Sequence, residues 1–300
     1  MSLEIKNITK EFNKKIAVHN LNLTVPTGEV FGFLGANGAG KTTTFRMILD
    51  LIKPTSGIIL WDGKPINYKI KNRIGYLPEE RGLYPNMTIE EEILYFGRLK
   101  KLNRAEIVSE MKYWLDRFEI AENIKKKKVG SLSKGNQQKI QLITAIINKP
   151  DLLILDEPFS GLDPVNVEML KSAVKDLQKN GTTIVFSSHR MDHVEELCEN
   201  ICIMKHGQPV VSGKIKDIKN NFGKKYVVIH GLIDDSRIAS ISGVKDVQKN
   251  KNGIILSIES KETAKKIFSY IKVMDFVEKF SVEDPSLQEI FIAKVGGKNG

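Results

Sequence analysis

The chain of 300 residues contains only two cysteines, Cys198 and Cys202, and no apolar run of membrane-spanning length. Two cysteines cannot build a disulfide framework, so they indicate a reducing compartment and two small buried side chains. The lack of any run of about 20 apolar residues argues against a transmembrane helix. The first residues show no basic stretch followed by an apolar one, so we expect no signal peptide. These absences predict a globular protein of the cytoplasm.

Aromatic residues are also scarce, at 7% of the sequence, and they are not interleaved with basic ones. A nucleic-acid surface needs both kinds of residue together, so we expect no nucleic-acid partner despite a formal net charge of +10. The only tight basic run is the four lysines at 125–128. Such a run is typical of a solvated turn, and contact with lipid headgroups is the alternative.

One glycine-rich stretch dominates the sequence. Residues 35–43 read GANGAGKTT and fit G-x-x-x-x-G-K-[ST], the pattern of a phosphate-binding loop. The glycines at Gly35, Gly38 and Gly40 permit backbone angles and a close approach that a Cβ atom would block. They let several backbone N–H groups point at one polyphosphate chain.

The residues around this loop agree with that interpretation. Lys41 supplies a positive charge for the β- and γ-phosphates, and Thr42 offers a hydroxyl ligand for Mg²⁺. Residues 30–34 read as a buried strand and residues 43–51 as a helix. A strand, a loop and a helix N-terminus form the setting that binds phosphate. The sequence therefore predicts binding of a nucleoside triphosphate.

Acidic residues follow a second buried strand. Residues 152–158 read LLILDEP, in which four apolar residues lead directly into Asp156 and Glu157. Open α/β sheets bind ligands at the carboxyl ends of such strands. We therefore expect Asp156 to hold Mg²⁺ and Glu157 to act as a general base toward water. A further buried strand at 182–187 delivers His189 to the same edge, where an isolated histidine is more often structural than catalytic.

Residues 88–148 read as a helical insertion between the halves of an α/β domain. Capping boxes at Thr88 and Asn103 precede apolar residues at helical spacing. The insertion ends with LSKGNQQ at 132–138, in which Ser133 is placed as an N-cap. Taken alone, this last stretch is equally well explained as a capped helix without any other role.

The motifs together are more specific than any one of them. GANGAGKTT, LSKGNQQ, LLILDEP, SGLD and SSH occur in this order within residues 1–221, which resembles the ATP-binding subunits of ABC transporters. YLPEERGLYP at 76–85 and LSKGNQQK at 132–139 resemble the NatA- and YhaQ-like ATPases of bacterial exporters. The resemblance implies a Mg²⁺-dependent ATPase that powers export through a separate membrane permease. Such a subunit lies in the cytoplasm, on the inner face of the membrane.

The resemblance also implies a role for each matched residue. Adenine would stack on Phe12, with Val18 packed beside it. The phosphates would be bound by Gly35, Asn37, Gly38, Ala39, Gly40, Lys41, Thr42 and Thr43. The Mg²⁺ ligands would be Thr42, Asp156 and Glu79, the last standing where the family usually has glutamine. Glu157 would be the catalytic base, and His189 would contact the γ-phosphate.

A last group of residues would serve the nucleotide of an opposite subunit. The signature motif contributes Ser133, Lys134, Gly135 and Asn136, with Lys134 and Asn136 replacing the commoner Gly and Gln, and Asp163 would communicate across the interface. The chain has one phosphate-binding loop and one signature, so a two-fold homodimer would complete two sites at once.

The fold class implied is α/β, a P-loop NTPase domain of the ABC type over residues 1–221 with a helical subdomain at about 88–148. Residues 222–300 carry none of these motifs and predict a small α+β domain, with a hairpin at 250–253 and a helix capped by Ser260. Regulation, dimer contact and simple stabilisation all remain open for this part.

Other functional classes fit the sequence less well. A soluble ABC-type ATPase of translation control or DNA repair would carry a second cassette or a long coiled coil, which this chain lacks. An importer ATPase is disfavoured by the small C-terminal part and by YLPEERGLYP.

Overall fold

The computed structural model describes residues 2–80, 82–231, 235–272 and 276–296. In chain order, the strands are β1 (Ser2–Phe12), β2 (Lys15–Pro26), β3 (Val30–Gly35), β4 (Ser56–Trp61), β5 (Lys64–Pro65), β6 (Ile74–Leu77), β7 (Leu152–Asp156), β8 (Thr183–Ser188), β9 (Asn200–Lys205), β10 (Gln208–Lys214), β11 (Lys225–His230), β12 (Val244–Asn250), β13 (Gly253–Ile258) and β14 (Lys279–Glu283).

The α-helices are α1 (Lys41–Ile48), α2 (Tyr68–Lys71), α3 (Ile89–Leu99), α4 (Arg104–Arg117), α5 (Lys134–Ile146), α6 (Pro164–Lys179), α7 (Met191–Leu197), α8 (Ile215–Asn221), α9 (Asp235–Ala239), α10 (Lys261–Ile271) and α11 (Leu287–Val295). The predicted capping boxes begin α3 at Thr88 and α4 at Asn103, and Ser133 and Ser260 cap α5 and α10. Within the described parts of the chain, none of the helices is long and apolar enough to span a membrane.

The chain divides into two compact units, Met1–Ser212 and Gly213–Gly300. The sequence placed this division after residue 221. The structure assigns α8 to the second unit, because α8 packs against α11 of that unit.

A six-stranded sheet, in the order β10-β9-β3-β8-β7-β6, forms the centre of the first unit. The pairs from β9 to β6 are parallel, and β3, β7 and β8 are buried along their whole length. Strands covered on both faces are mainly apolar, and the polar residues of β7 and β8 are at the strand ends. Their carboxyl ends bring Gly35, Asp156 and Ser188 to one edge of the sheet.

A second sheet of the first unit, ordered β2-β1-β4-β5, is antiparallel. Asn13 and Lys14 join β1 to β2 with φ angles of 46° and 66°, the positive values that suit a two-residue hairpin turn. Both sheets contribute to one apolar core, which includes Leu21 of β2, Phe33 of β3 and Phe45 of α1. This core supports the glycine-rich loop between β3 and α1.

The second unit is built on an antiparallel sheet in the order β12-β13-β11-β14. The predicted hairpin joins β12 to β13, and the helix capped by Ser260 ends at Ile271 as expected. Ile229, Leu256 and Ile267 belong to its own apolar core, which is consistent with an α+β unit that folds around a separate centre.

Candidate ATP site

The glycine-rich loop requires glycine at specific positions. Gly38 and Gly40 have φ angles of +79° and +101°, in the left-handed region that favours residues without a Cβ atom. A Cβ atom on Gly40 would also lie 2.7 Å from the carbonyl oxygen of Ala17. Gly35 is confined in another way, because its Cβ would lie 2.8 Å from both the Ala39 Cβ and the Met204 carbonyl oxygen. The loop therefore bends tightly between β3 and the start of α1.

Lys41 closes this loop from within. Its ammonium donates hydrogen bonds to the carbonyl oxygens of Gly35, at 2.7 Å, and Ala36, at 3.3 Å. Burial lowers the pKa of Lys41, and the carboxylates of Glu157, Asp156 and Glu79 oppose that shift. The lysine thus brings a buried donor group to the floor of the site.

Asp156 is the centre of a hydrogen-bond network at the end of β7. Its Oδ2 accepts a hydrogen bond of 2.9 Å from the Thr42 hydroxyl, and its Oδ1 accepts one of 2.5 Å from the Ser187 hydroxyl. The Ser187 oxygen in turn accepts from the backbone N–H of Glu157 at 3.0 Å. Ser187 was not among the predicted site residues, although it is paired with Asp156 across the parallel strands β7 and β8.

Glu157 follows with a strained backbone and a partly dehydrated carboxylate. Its φ angle is +49°, which is uncommon for a residue with a side chain. Burial raises its pKa, against the lowering effect of the His189 and Lys41 charges. Nδ1 of His189 lies 2.9 Å from Oε2 of Glu157, while the His189 side chain is 63% exposed. A raised pKa makes this carboxylate a stronger base than an exposed one.

These groups surround one cavity of about 250 Å³. It is lined by Ala17, Asn37, Gly38, Ala39, Gly40, Lys41, Thr42, Thr43, Glu79, Asp156 and Glu157. Of the residues proposed from the sequence for phosphate, metal and base, all but Gly35 line this cavity. His189 is outside the lining and reaches the site through its contact with Glu157. The cavity lies outside the carboxyl ends of the parallel strands, where open α/β sheets bind their ligands.

Phe12 and Val18, proposed together for the adenine, have different environments. Phe12 is 46% exposed at the end of β1, and the Lys10 ammonium lies 4.8 Å from its ring centroid. Val18 has no exposed surface, and its Cγ2 lies 3.3 Å from where a Cβ of Gly40 would be. The Val18 side chain therefore packs against the phosphate-binding loop. Of the two residues, only the exposed Phe12 is accessible to an adenine ring.

The signature residues form a separate surface cluster outside the lining of the cavity. Ser133 and Lys134 are exposed at the start of α5, where the Ser133 hydroxyl accepts from the backbone N–H of Asn136 at 3.3 Å. Asp163 caps α6 and accepts two hydrogen bonds from Asn166, at 3.0 and 2.5 Å. Gly135 lies directly against the Asn166 side chain, so the signature and Asp163 are neighbours.

Helix α5 is tied to the ATP cavity by two glutamines that the sequence did not single out. Nε2 of Gln138 donates to the carbonyl oxygen of Pro158 at 3.0 Å. Nε2 of Gln141 lies 3.3 Å from the carbonyl oxygen of Pro78 and 3.4 Å from that of Glu80. All three acceptors stand next to a residue of the cavity, Pro158 beside Glu157 and both Pro78 and Glu80 beside Glu79.

The residues of the cavity suit a magnesium ion shared with a nucleotide. Among the described residues, no three His, Cys, Asp or Glu side chains surround one point as an all-protein metal cage would. Mg²⁺ in phosphate sites usually takes only one or two carboxylates and completes its shell with phosphates and water. The adjacent oxygens of Thr42 and Asp156, with Glu79 on the same wall, provide such a partial set.

Comparison with known proteins decides the family. A family model described as "ABC transporter" matches residues 18–160, and one described as "ATP-binding protein DrrA1-3-like, C-terminal domain" matches residues 213–295. The chain is 54% identical to an uncharacterized ABC transporter ATP-binding protein, YhaQ of Bacillus subtilis, over 98% of both chains. The chain belongs to the ATP-binding proteins of ABC transporters. Its second unit coincides with the DrrA-like match rather than with a boundary after residue 221.

Other members of this family are also similar. The chain is 39% identical to the ABC transporter ATP-binding protein NatA of Bacillus subtilis, over 67% of this chain and 83% of NatA. It is 35% identical to the Nod factor export ATP-binding protein I of Burkholderia lata, over 76% of each chain. The predicted likeness to NatA and YhaQ is therefore confirmed.

The fold is likewise that of ABC ATPases. The dimeric structure of MJ0796, a bacterial ABC transporter cassette, superposes with a TM-score of 0.65 at 26% identity, covering 71% of this chain and 98% of that one. This ABC ATP-binding protein thus has the predicted α/β P-loop fold, followed by an additional C-terminal unit.

Proposed function

We propose that this ABC ATP-binding protein hydrolyses Mg²⁺-bound ATP as a homodimer and thereby drives export through a separate permease. One observation carries the proposal. The cavity unites the phosphate loop with Asp156 and Glu157, while Ser133 and Asp163 lie outside it on the surface. One chain therefore holds the two parts of an ATP site at two separate places, and a second copy brings them together.

Each chain's residues have distinct tasks in the proposed reaction. The backbone N–H groups of the loop and Lys41 bind the phosphates, while Phe12 stacks on the base. Glu157 accepts a proton from the attacking water, and His189 orients that carboxylate and reaches toward the γ-phosphate. Mg²⁺, when bound through Thr42, Asp156 and Glu79, supplies positive charge that offsets the phosphate oxygens.

Charge at the cavity supports the need for a cation. Glu79, Asp156 and Glu157 line the cavity with one buried ammonium, that of Lys41. A polyphosphate would therefore meet more negative than positive side-chain charge there. Like charges repel strongly in a partly buried site, so this excess would oppose binding. A divalent cation carried with the nucleotide reverses that balance.

The second copy would contribute Ser133, Lys134, Gly135, Asn136 and Asp163 to the nucleotide held by the first. A two-fold axis repeats this contact, so two nucleotides lie between two chains. The dimeric state of the MJ0796 cassette supports this arrangement. ATP then joins the chains, and loss of the γ-phosphate loosens them, which gives the motion that a permease can follow.

The permease partner is supported by the family and by an apolar cavity in the first unit. This cavity of about 560 Å³ is lined by Tyr84, Pro85, Asn86, Met87, Glu91, Leu94, Tyr95 and Arg98. Tyr84 and Tyr95 are 48% and 37% exposed, and their rings pack edge to face at 5.6 Å. The segment that lines the cavity follows Glu79 along the chain, so an apolar helix of the permease seated here would lie near the ATP site. The protein would thereby be held at the inner face of the membrane.

Export is the proposed direction of transport. The Nod factor relative carries export in its name, and the C-terminal unit matches a DrrA-like domain that an importer ATPase need not have. In this proposal, the transported molecule is recognised by the permease.

Mixing two inactive variants tests the shared site. K41A removes the phosphate-binding lysine, and S133R blocks the signature, so neither variant forms a complete site with itself. In a mixed dimer, the S133R loop meets the intact signature of K41A. Equal amounts should restore up to about one quarter of the normal rate, because half of the dimers are mixed and each has one complete site of two; dependence between the sites lowers this value.

The matched control pairs K41A with the K41A/S133R double variant, which offers no intact loop. The proposal fails if that mixture recovers as much activity as the first, or if neither mixture recovers any. For the permease, Y95E should abolish co-purification of a membrane protein from native membranes while the ATPase rate is kept. Equal recovery with Y95E would refute docking at this cavity.

A further inference from the structure

We infer that Gln141 is a positioning residue that fixes Glu79 in the ATP cavity and couples it to the signature at the start of the same helix. The inference rests on the proposed function, in which the signature serves the partner's nucleotide. It makes the two ATP sites of the dimer dependent on each other through this one side chain.

The hydrogen bonds that the Gln141 side chain donates go to the loop that carries Glu79. Its side chain is 3% exposed, and its Nε2 lies between the carbonyl oxygens of Pro78 and Glu80, at 3.3 and 3.4 Å. A carboxamide nitrogen has two hydrogens, so it can donate one to each carbonyl. The two acceptors flank Glu79 on both sides, which holds the backbone of that residue from behind.

The oxygen of the Gln141 carboxamide has a different environment from the nitrogen. Oε1 of Gln141 is buried and has no hydrogen-bond partner among the described residues. A buried acceptor without a partner costs free energy, so an apolar residue would pack there more favourably if packing were the only requirement. The function of this polar side chain therefore lies in its donor nitrogen.

Glu79 is the residue whose position this donor controls. It lines the ATP cavity, and its charge raises the pKa of Lys41 against the effect of burial. Without this donor, the carbonyl oxygens of Pro78 and Glu80 would lose their hydrogen bonds, and the backbone around Glu79 would be less restrained. Glu79 would then sample positions away from the phosphates, and a small misplacement of a charged group has large kinetic effects.

The same helix carries the signature, so the position of Glu79 can respond to the nucleotide that the partner holds. Ser133 caps α5, and Gln141 lies about 12 Å further along its axis at 1.5 Å per residue. Gln138, one turn before Gln141, is bonded to Pro158 beside Glu157. Ser133, Gln138 and Gln141 thus lie on one helix, so a partner nucleotide that displaced Ser133 would also shift the contact between Gln141 and the Glu79 loop.

The test compares Q141L with N148L. Asn148 follows the same helix outside the signature, its Nδ2 donates to the carbonyl oxygen of Asn72 at 2.6 Å, and its Oδ1 is likewise buried without a partner among the described residues. Both variants replace an amide side chain by leucine, but Asn148 does not line the ATP cavity. Q141M, unbranched and without a donor, replaces Q141L if the latter unfolds, as judged by thermal melting.

We expect Q141L to raise the Mg²⁺ concentration for half-maximal hydrolysis about fivefold, because both of the long hydrogen bonds from the amide to the Glu79 loop are lost. The Hill coefficient for ATP should fall toward 1 as the two sites become independent. In the nucleotide-free protein, hydrogen exchange at the amides of residues 79 and 80 should speed up in Q141L and remain unchanged in N148L. Equal effects of the two variants, or a Hill coefficient of 1 in the unmodified protein, would overturn the inference.

A double-mutant cycle with E79A decides whether Gln141 acts through Glu79. If it does, adding Q141L to E79A changes neither the Mg²⁺ requirement nor the rate any further. Additive losses would mean that Gln141 acts by another route. Failure of the proposed function is distinguishable, because the K41A and S133R mixture would then recover no activity although the unmodified protein is folded.

Discussion

Gly135 of the signature lies so close to Asn166 of α6 that a Cβ atom on the glycine would be 2.5 Å from Nδ2 of the asparagine. That same nitrogen donates to Asp163 at 2.5 Å. The side-chain amide of Asn166 thus lies between the signature and Asp163, packed against the first and hydrogen-bonded to the second.

The Gly135 contact predicts the effect of G135A. The added methyl group pushes the Asn166 side chain away from Asp163, so Oδ2 of Asp163 loses its hydrogen bond from Nδ2 of Asn166, which should cost about 1 kcal/mol of stability. ATP hydrolysis should fall more than ATP binding, because the displaced groups serve the partner's site. Thermal melting and turnover measure the two effects. Adding N166A, which removes the clash, should make the losses non-additive, and simple addition would argue against the contact.

Replacing Glu157 by glutamine should separate binding from hydrolysis. E157Q keeps the shape and its hydrogen-bonding oxygen but cannot accept a proton, so the rate should fall about 10²- to 10⁴-fold while ATP affinity is kept. The variant should accumulate as an ATP-bound dimer, seen by light scattering. E262Q, an exposed change in the second unit, is the control. Hydrolysis by E157Q at the normal rate would rule out Glu157 as the base.

Ser187 should affect the rate of ATP hydrolysis although it is not expected to contact the nucleotide or the attacking water. S187A removes the hydroxyl that joins Oδ1 of Asp156 to the backbone N–H of Glu157. The loss leaves two buried polar groups without this partner, so kcat should fall about tenfold with little change in ATP affinity. S187T, which keeps a hydroxyl, should retain more activity than S187A. If alanine and threonine behave alike, the hydroxyl is not the cause.

Stability should depend on pH through Glu92. This side chain is fully buried in α3, and burial raises its pKa above the ordinary value of 4.5. The folded protein therefore binds a proton at a higher pH than the unfolded chain, and Glu92 makes stability fall as the pH rises through that window. Below it, both states are protonated and the effect is absent.

E92Q should therefore raise the melting temperature at about pH 8 and leave it unchanged at about pH 4. The glutamine retains an oxygen that can accept from the backbone N–H of Tyr84, as Oε1 does now at 3.1 Å. Differential scanning fluorimetry at both pH values measures the change, with E262Q as an exposed control. A gain of equal size at both values would show that charge burial is not responsible.

Much of the site could be predicted because its signals are local. The glycines at 38 and 40 are dictated by backbone angles, and the capping residues of α3, α4 and α5 act within one helical turn. The acids that follow β7 were predictable because a strand buried on both faces has to end where polar residues begin.

Contacts between distant segments were not predictable in the same way. Ser187 meets Asp156 only because β7 and β8 are neighbours in register, and strand order is not written in either strand. The carbonyl groups bound by Gln141 carry no sequence signal at all, since every residue has one. Val18 was paired with Phe12 by resemblance, but the fold turns it into the core under Gly40.

Lys41 already makes two hydrogen bonds to the carbonyl groups of its own loop. An arriving nucleotide exchanges partners with a group that is in place and does not have to assemble a collapsed loop. The position of the ammonium is thus fixed by its own loop, so little side-chain ordering entropy would be lost when a phosphate group binds to it.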